Sequence, residues 1–283
     1  MKIKSLSVAI LFTSCLIVFT SCKKNSNTDD AKNETAITIE LSTDLAIADN
    51  LTEDANDIFM ETATQNNLSG QRPVEVVETT GILGCAEVAI TPLIGFPKNI
   101  AIDFGTGCTS PNGITRKGKI NIVLSDSVRR PGSTAVLTFT NYFVNGFKKE
   151  GIITWTNTSN LQVKSWQRKI ENGKITNPVG KYWLHSGVKN VVQAEGYSTP
   201  RNLLDDVFSI TGNHTITRAN GESRTSTILE ALQKKTLCEN ISKGKVELDG
   251  AKHNAVIDFG DGTCDRIGTI SIDGGNPITF FLR

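Results

Sequence analysis

Chemistry in this chain has few sources: six cysteines, three histidines and one tight group of aspartates. Two of the cysteines separate from the rest by position. Cys15 lies inside an apolar run, Leu6 to Ser21, that follows the basic residues Lys2 and Lys4, and Cys22 stands at its end. A charged start, an apolar stretch and a small-residue cleavage site mark an export signal, and the run is shorter than the ~20 residues of a spanning helix. Cys85, Cys108, Cys238 and Cys264 remain, an even set in an exported chain, which favours disulfides. An internal repeat orders them. Cys85, the run Asn99-Ile100-Ala101-Ile102-Asp103-Phe104-Gly105, Cys108 and Lys119-Ile120-Asn121-Ile122 make one copy, within 85–123. Cys238, Asn254-Ala255-Val256-Ile257-Asp258-Phe259-Gly260, Cys264 and Thr269-Ile270-Ser271-Ile272 make the other, within 238–272. The simplest pairing is one bond per copy, Cys85–Cys108 and Cys238–Cys264, each closing a loop whose entropy is worth ~3 kcal/mol. Structural zinc is the rival use of four cysteines, but it calls for a two-residue clip that these spacings lack.

Asp258, Asp261 and Asp265 surround a glycine turn. Calcium takes several oxygens from a tight loop, so these three are the candidate metal ligands. The alternative is that each aspartate bonds its own backbone in a turn. The stretch Asp258-Phe259-Gly260-Asp261-Gly262-Thr263 resembles the DFGDG turn of PKD-type β-sandwich domains over that turn alone. His185, His214 and His253 are scattered, and the serines form no GxSxG elbow. Glu150, Glu171, Glu195 and Glu222 lie near turns; a glycosidase needs only two carboxylates that folding brings together. Tyr182-Trp183 is the one adjacent aromatic pair, and strand alternation must turn one of the two outward, a candidate stacking surface for a ligand. Asp126-Ser127-Val128 resembles the short O-glycosylation acceptor of Bacteroidetes exported proteins, with Ser127 as the acceptor.

Phe19-Thr20-Ser21-Cys22 resembles the lipobox of bacterial lipoproteins, with Phe19 where a leucine is usual. The resemblance implies that Cys22 becomes the first residue of the mature chain and carries a diacylglyceryl thioether and an N-acyl chain. Several acyl chains meet the condition for stable anchoring. Residues 1–21 are then the signal, and 22–35, polar and without apolar periodicity, a lipidated flexible tether. Without Lys2 and Lys4 the mature chain keeps 28 of 30 basic residues and all 29 acidic ones, a net charge of −1. That balance gives no footprint for nucleic acid.

Residues 36–283 must therefore form the body, read as a single β-rich domain. From residue 113 on, Thr, Val, Ile, Phe and Trp alternate with polar residues between turn signals. Asn145-Gly146, Asn172-Gly173 and Asn220-Gly221, with Asp249-Gly250 and Asp273-Gly274, match the type I′ hairpin turn, which needs positive φ at both central residues. Sequential hairpins with one buried face predict an antiparallel meander over about 70–283, closing toward a sandwich or an incomplete barrel. Before it, Leu51, Ala55, Ile58, Phe59 and Ala63 recur at helical spacing within 44–64, with Asn50 or Thr52 as a starting cap. That helix should pack on a sheet face or edge; the alternative is a lid over a lipid cavity.

The lysines after Cys22, the two IDFG-cysteine copies and the Asn-Gly hairpins together resemble the uncharacterised β-rich outer-membrane lipoproteins of Bacteroidetes. The resemblance implies an envelope location, with the membrane engaged through the lipid, and no particular reaction. The expected role is non-catalytic binding or scaffolding, with a glycan, lipid or envelope protein as ligand. A glycan-acting hydrolase and a lipid carrier are the competing readings. No cofactor is expected beyond the calcium candidate.

Overall fold

The computed structural model describes residues 26–68, 81–161, 163–199, 202–250 and 253–282, with side chains from residue 36 on. The segment read as an export signal and Cys22 lie outside them. A single helix, α1 (Ser26–Gln65), precedes the strands. These are β1 (Glu87–Thr91), β2 (Lys98–Asp103), β3 (Cys108–Thr109), β4 (Thr115–Leu124), β5 (Thr134–Val144), β6 (Phe147–Asn157) and β7 (Ser165–Thr176). Then follow β8 (Tyr182–Glu195), β9 (Val207–Arg218), β10 (Ser223–Lys235), β11 (Lys243–Asp249), β12 (Ala255–Asp261), β13 (Ile267–Ile272) and β14 (Ile278–Phe281).

All belong to one antiparallel sheet in chain order, with β3 a short side pairing on β4. The sheet stays open, with β1 and β14 as its edges. The mainly β meander with one N-terminal helix is thus the architecture, in its incomplete-barrel form. It is not a sandwich, because the helix occupies the place of a second layer. Positions 45–49 are five consecutive buried residues, Leu45 to Asp49. Five residues exceed one helical turn, so α1 is enclosed around its circumference and not merely laid on a face. Partners reach it from β4 at Arg116, from β7 at Arg168, from β9 at Arg218 and from the β10–β11 turn at Asn240.

Two local expectations change. The helix starts at Ser26 and so takes in most of the segment read as a flexible tether. Extending a helix that packing already holds costs far less than starting one. Asn50 and Thr52 are therefore not caps but mid-helix residues. Asn50 donates to Asn240 at 2.7 Å, and Thr52 donates to the Ala48 carbonyl at 2.8 Å.

The repeat is structural. Ile102 pairs with Ile120 and Asp103 with Lys119 in the first copy, as Ile257 pairs with Ile270 and Asp258 with Thr269 in the second. Phe104 and Phe259 are both buried, and Asp103 and Asp258 each accept a hydrogen bond from the glycine two residues on. Cys85–Cys108 and Cys238–Cys264 are bonded within their copies, with Cα atoms 5.9 and 5.2 Å apart.

Asn145-Gly146 and Asp273-Gly274 have positive φ at both residues, as the I′ turn demands. At Asn220-Gly221 only the glycine does, and at Asp249-Gly250 neither does. Asn172-Gly173 is no turn at all. It lies inside β7, where the register slips between Ile170 and Gly173. The residue opposite explains the choice: a Cβ on Gly173 would sit 2.5 Å from the His185 ring. The bulge makes room for a buried imidazole.

Candidate functional site

The sequence of α1 holds ten acidic residues and one lysine. Its wrapper supplies the opposite charge from strand positions in phase with the buried apolar ones. Arg168 shares the inward face of β7 with Trp166 and Ile170, and Lys189 that of β8 with Trp183 and Val191. Arg168 forms a bidentate pair with Glu53 at 2.8 and 2.6 Å. Asp54 is held by Arg116 and by the Tyr142 hydroxyl, the latter at 3.1 Å. Arg218 reaches Asp44 at 2.8 Å and also pairs with Glu40. Buried charges persist only when paired and hydrogen-bonded, and this helix is seated by that rule.

His185, His214, Asp49 and Lys189 form a buried chain. His185 Nδ1 lies 3.0 Å from His214 Nε2, and His214 Nδ1 lies 2.8 Å from Asp49, which also takes Lys189 at 2.5 Å. Burial pushes the Asp49 carboxyl up, but Lys189 and His214 outweigh it and hold the group well below its ordinary range. Burial, with nearby cations, lowers both imidazoles from their ordinary range, against the opposite pull of Asp49. The chain resembles a catalytic relay in its order of groups. Yet His185 and His214 are 3 % and 1 % exposed, and neither lines the cavities described next. Without access for a substrate it is a seating network.

The accessible chemistry lies beside it. A cavity of about 530 Å³ opens between α1 and two parts of its wrapper. The helix contributes Ile47, Asn50, Leu51, Asp54 and Asp57; Ile82, Ile114, Val144 and Phe147 form one wall, and Leu204, Lys234, Leu237 and the 238–240 turn the other. A volume of this size, mostly apolar with a few fixed polar groups, is typical of small-ligand sites. Burial raises Asp57 to about 6, Glu53 and Asp54 add to the effect, and Lys234 opposes it from 3.8 Å. Asp57 accepts no hydrogen bond from the described residues; the Lys234 ammonium is turned to the Lys235 and Cys238 carbonyls. Asn240, 2 % exposed, has an Nδ2 without a partner. A second cavity of about 290 Å³ is lined by Trp155, Trp166, Arg129, Lys164 and Asp206.

The residues singled out from sequence lie elsewhere. Asp258, Asp261 and Asp265 each accept a hydrogen bond from the backbone N–H two residues ahead, the turn arrangement. Among the described residues no three His, Cys, Asp or Glu side chains converge as a metal set. Tyr182 is half-exposed with the Lys174 ammonium 4.5 Å from its ring centre, while Trp183 is buried edge-on to Phe147. The pair therefore offers one outward ring and no platform. Trp155, Trp166 and Tyr142 are core residues. Ser127 sits half-buried in a turn closed by its carbonyl and the Arg130 N–H. Glu150 and Glu171 pair with their strand neighbours Lys148 and Lys169 at the surface. Asp57 and Asn240 were not read as a site from sequence. The available signal was a helix rich in acids facing strands whose cations keep the apolar phase.

No family model, no curated protein and no solved structure matches this chain.

Proposed function

We propose that this is a lipid-anchored lipoprotein of the cell envelope, attached to the outer membrane through Cys22, whose β domain binds a small amphipathic ligand without turning it over. The observation that carries the reading is the cavity of about 530 Å³, apolar on most of its walls, with the Asp57 carboxyl and the Lys234 ammonium in its lining. The carrier reading is thereby altered. The helix does not close over a lipid-sized interior; it fills that interior and leaves a side cavity.

Hydrolysis is the weaker reading. Asp54 and Asp57 share a helix face, three residues apart, and one of them has a raised pKa, a pairing that glycosidases use. Both Asp54 oxygens, however, are occupied by Arg116 and Tyr142. The other carboxyl of the lining, Glu239, stands exposed on the turn across the cavity from the helix.

The test is displacement of an environment-sensitive apolar dye from the mature chain by medium-chain amphiphiles. Leu204→Trp, which places bulk in the cavity, should weaken displacement at least tenfold; equal affinity would sink the cavity reading. Separately, Cys22→Ser should release the protein from the envelope fraction, and continued retention would refute the anchor.

A further inference from the structure

The second cavity, of about 290 Å³, carries a different set of charges from the first. Its apolar walls come from Met60 and Ala63 of α1, Trp155 of β6, Trp166 of β7 and Leu203 of the β8–β9 connection. Two cations border it, the exposed Arg129 of the β4–β5 turn and the half-buried Lys164 ahead of β7. The fold brings them together. Asn157, at the end of β6, donates to the Val128 carbonyl at 2.6 Å and so holds the turn that carries Arg129. In register, Asn157 stands opposite Trp166, two residues from Lys164. Burial holds the Lys164 ammonium below its ordinary range, and the nearby Arg129 charge adds to the effect. Lys164 donates to the Tyr197 carbonyl at 3.1 Å, a dipole and not a counter-charge, and an ammonium has two further N–H groups to give.

One carboxyl belongs to the same lining. Asp206 is buried and accepts from Gln193 Nε2 at 2.7 Å. Burial and the neighbouring Asp205 raise it to about 7, against the pull of Lys164 and Arg129. From α1, Asp57 and Glu61 share a smaller adjoining cavity with it. Asp205 itself takes the Thr199 hydroxyl at 2.6 Å. Below neutral pH Asp206 is mostly protonated, and the two cations of the lining are then in excess.

We propose that this second cavity binds a small carboxylate with an apolar body, its carboxylate bridging Arg129 and Lys164 and its body lying along Trp166, Met60 and Leu203. The two cavities share no lining residue, so this site stands apart from the reading above. A guanidinium presents paired N–H groups that match a carboxylate, and an ammonium adds a point charge. An inorganic anion has no surface to offer the apolar walls. An amine meets two like charges, and a neutral amide forgoes the charge. The volume lies at the small end of ligand sites, which suits a body the size of one ring or a short chain.

The experiment titrates benzoate, benzamide, benzylamine and inorganic phosphate into the mature chain at pH 6 by calorimetry. Benzoate should bind at least tenfold more tightly than benzamide, the lower end of what one hydrogen bond to a charged group contributes. Benzylamine and phosphate should not compete with it. Arg129→Gln and Lys164→Met should each weaken benzoate at least fivefold, leave benzamide unchanged and melt with the parent, since neither side chain lies in the core. Moving from pH 6 to pH 8 should weaken benzoate severalfold as Asp206 ionises, and Asp206→Asn should remove that dependence. Should Asp206→Asn fail to fold, the two cation variants still decide. Equal binding of benzoate and benzamide, or benzoate binding that neither cation variant weakens, overturns the site. Phosphate binding as tightly as benzoate overturns the apolar body. Benzoate binding lost in Leu204→Trp and kept in Arg129→Gln would put the ligand in the larger cavity, which overturns this inference and leaves that reading standing.

Discussion

Removing the charge of Glu53 should be among the most damaging isosteric changes available to this protein. Glu53 and Arg168 are 5 % and 2 % exposed at their side chains and share two hydrogen bonds of 2.8 and 2.6 Å. The Arg168 Nε already lacks a partner, so the guanidinium depends on this carboxylate. Glu53→Gln keeps the shape and one acceptor but leaves a cation buried without its counter-charge. Breaking such a pair from one side costs about 3–5 kcal/mol, and the retained acceptor places this case near about 3 kcal/mol. Against a typical net stability of about 5–15 kcal/mol, that is a large fraction. The assay is urea unfolding with the disulfides intact, followed by intrinsic fluorescence of the buried tryptophans, alongside a thermal melt that should fall on the order of 10 °C. The double change Glu53→Met with Arg168→Met should return to within about 1 kcal/mol of the parent, because neither charge is then stranded. A Glu53→Gln loss below about 0.5 kcal/mol would mean that water reaches the pair and that α1 is not enclosed.

Asp57, raised to about 6 from 3.8, binds a proton in the folded chain that the unfolded chain has already released across that window. Stability from this group therefore falls as pH rises from about 4 to 6, and Asp57→Asn should gain up to about 3 kcal/mol at pH 7.5 and nothing below pH 4, read by urea midpoints. Asp49 has the opposite sign: its depressed pKa contributes stability at neutral pH that is lost as pH falls below about 4, so Asp49→Asn should flatten the acid limb of the same curve. Cys238→Ser with Cys264→Ser opens a loop with a sequence separation of 26 and should cost about 3 kcal/mol under oxidising conditions and nothing under reducing ones. Gly173→Ala drives a methyl group into His185 and should destabilise strongly, with partial rescue by His185→Ala, measured by melting temperature.

Periodicity in two was legible because each strand has one inward and one outward face, and the 10 to 14 residues of alternation in β4 and β8 leave few other choices. The disulfide pairing was legible too, since a repeat places each cysteine pair at one strand end. Asn172-Gly173 misled because the same dipeptide serves a hairpin and a bulge: both need positive φ at the asparagine, and only the partner strand decides which. The tether misled because polar composition says nothing against continuing a helix that is already held downstream.

Sequence by itself determined the antiparallel meander, the helix before it and the duplicated strand–cysteine unit, all of which rest on near neighbours in the chain. Tertiary structure alone decided that the helix runs through the sheet's curve, that Arg116, Arg168 and Lys189 face inward to meet its carboxylates, and that Asp57 and Asn240 come to share one cavity. A charge in phase with apolar residues can be solvated or buried, and what settles the matter is a counter-charge more than a hundred residues away, as Glu53 is from Arg168. Separation along the chain hides such a pair from any local pattern, while the cost of stranding either member in the interior makes it specific once the chain has folded.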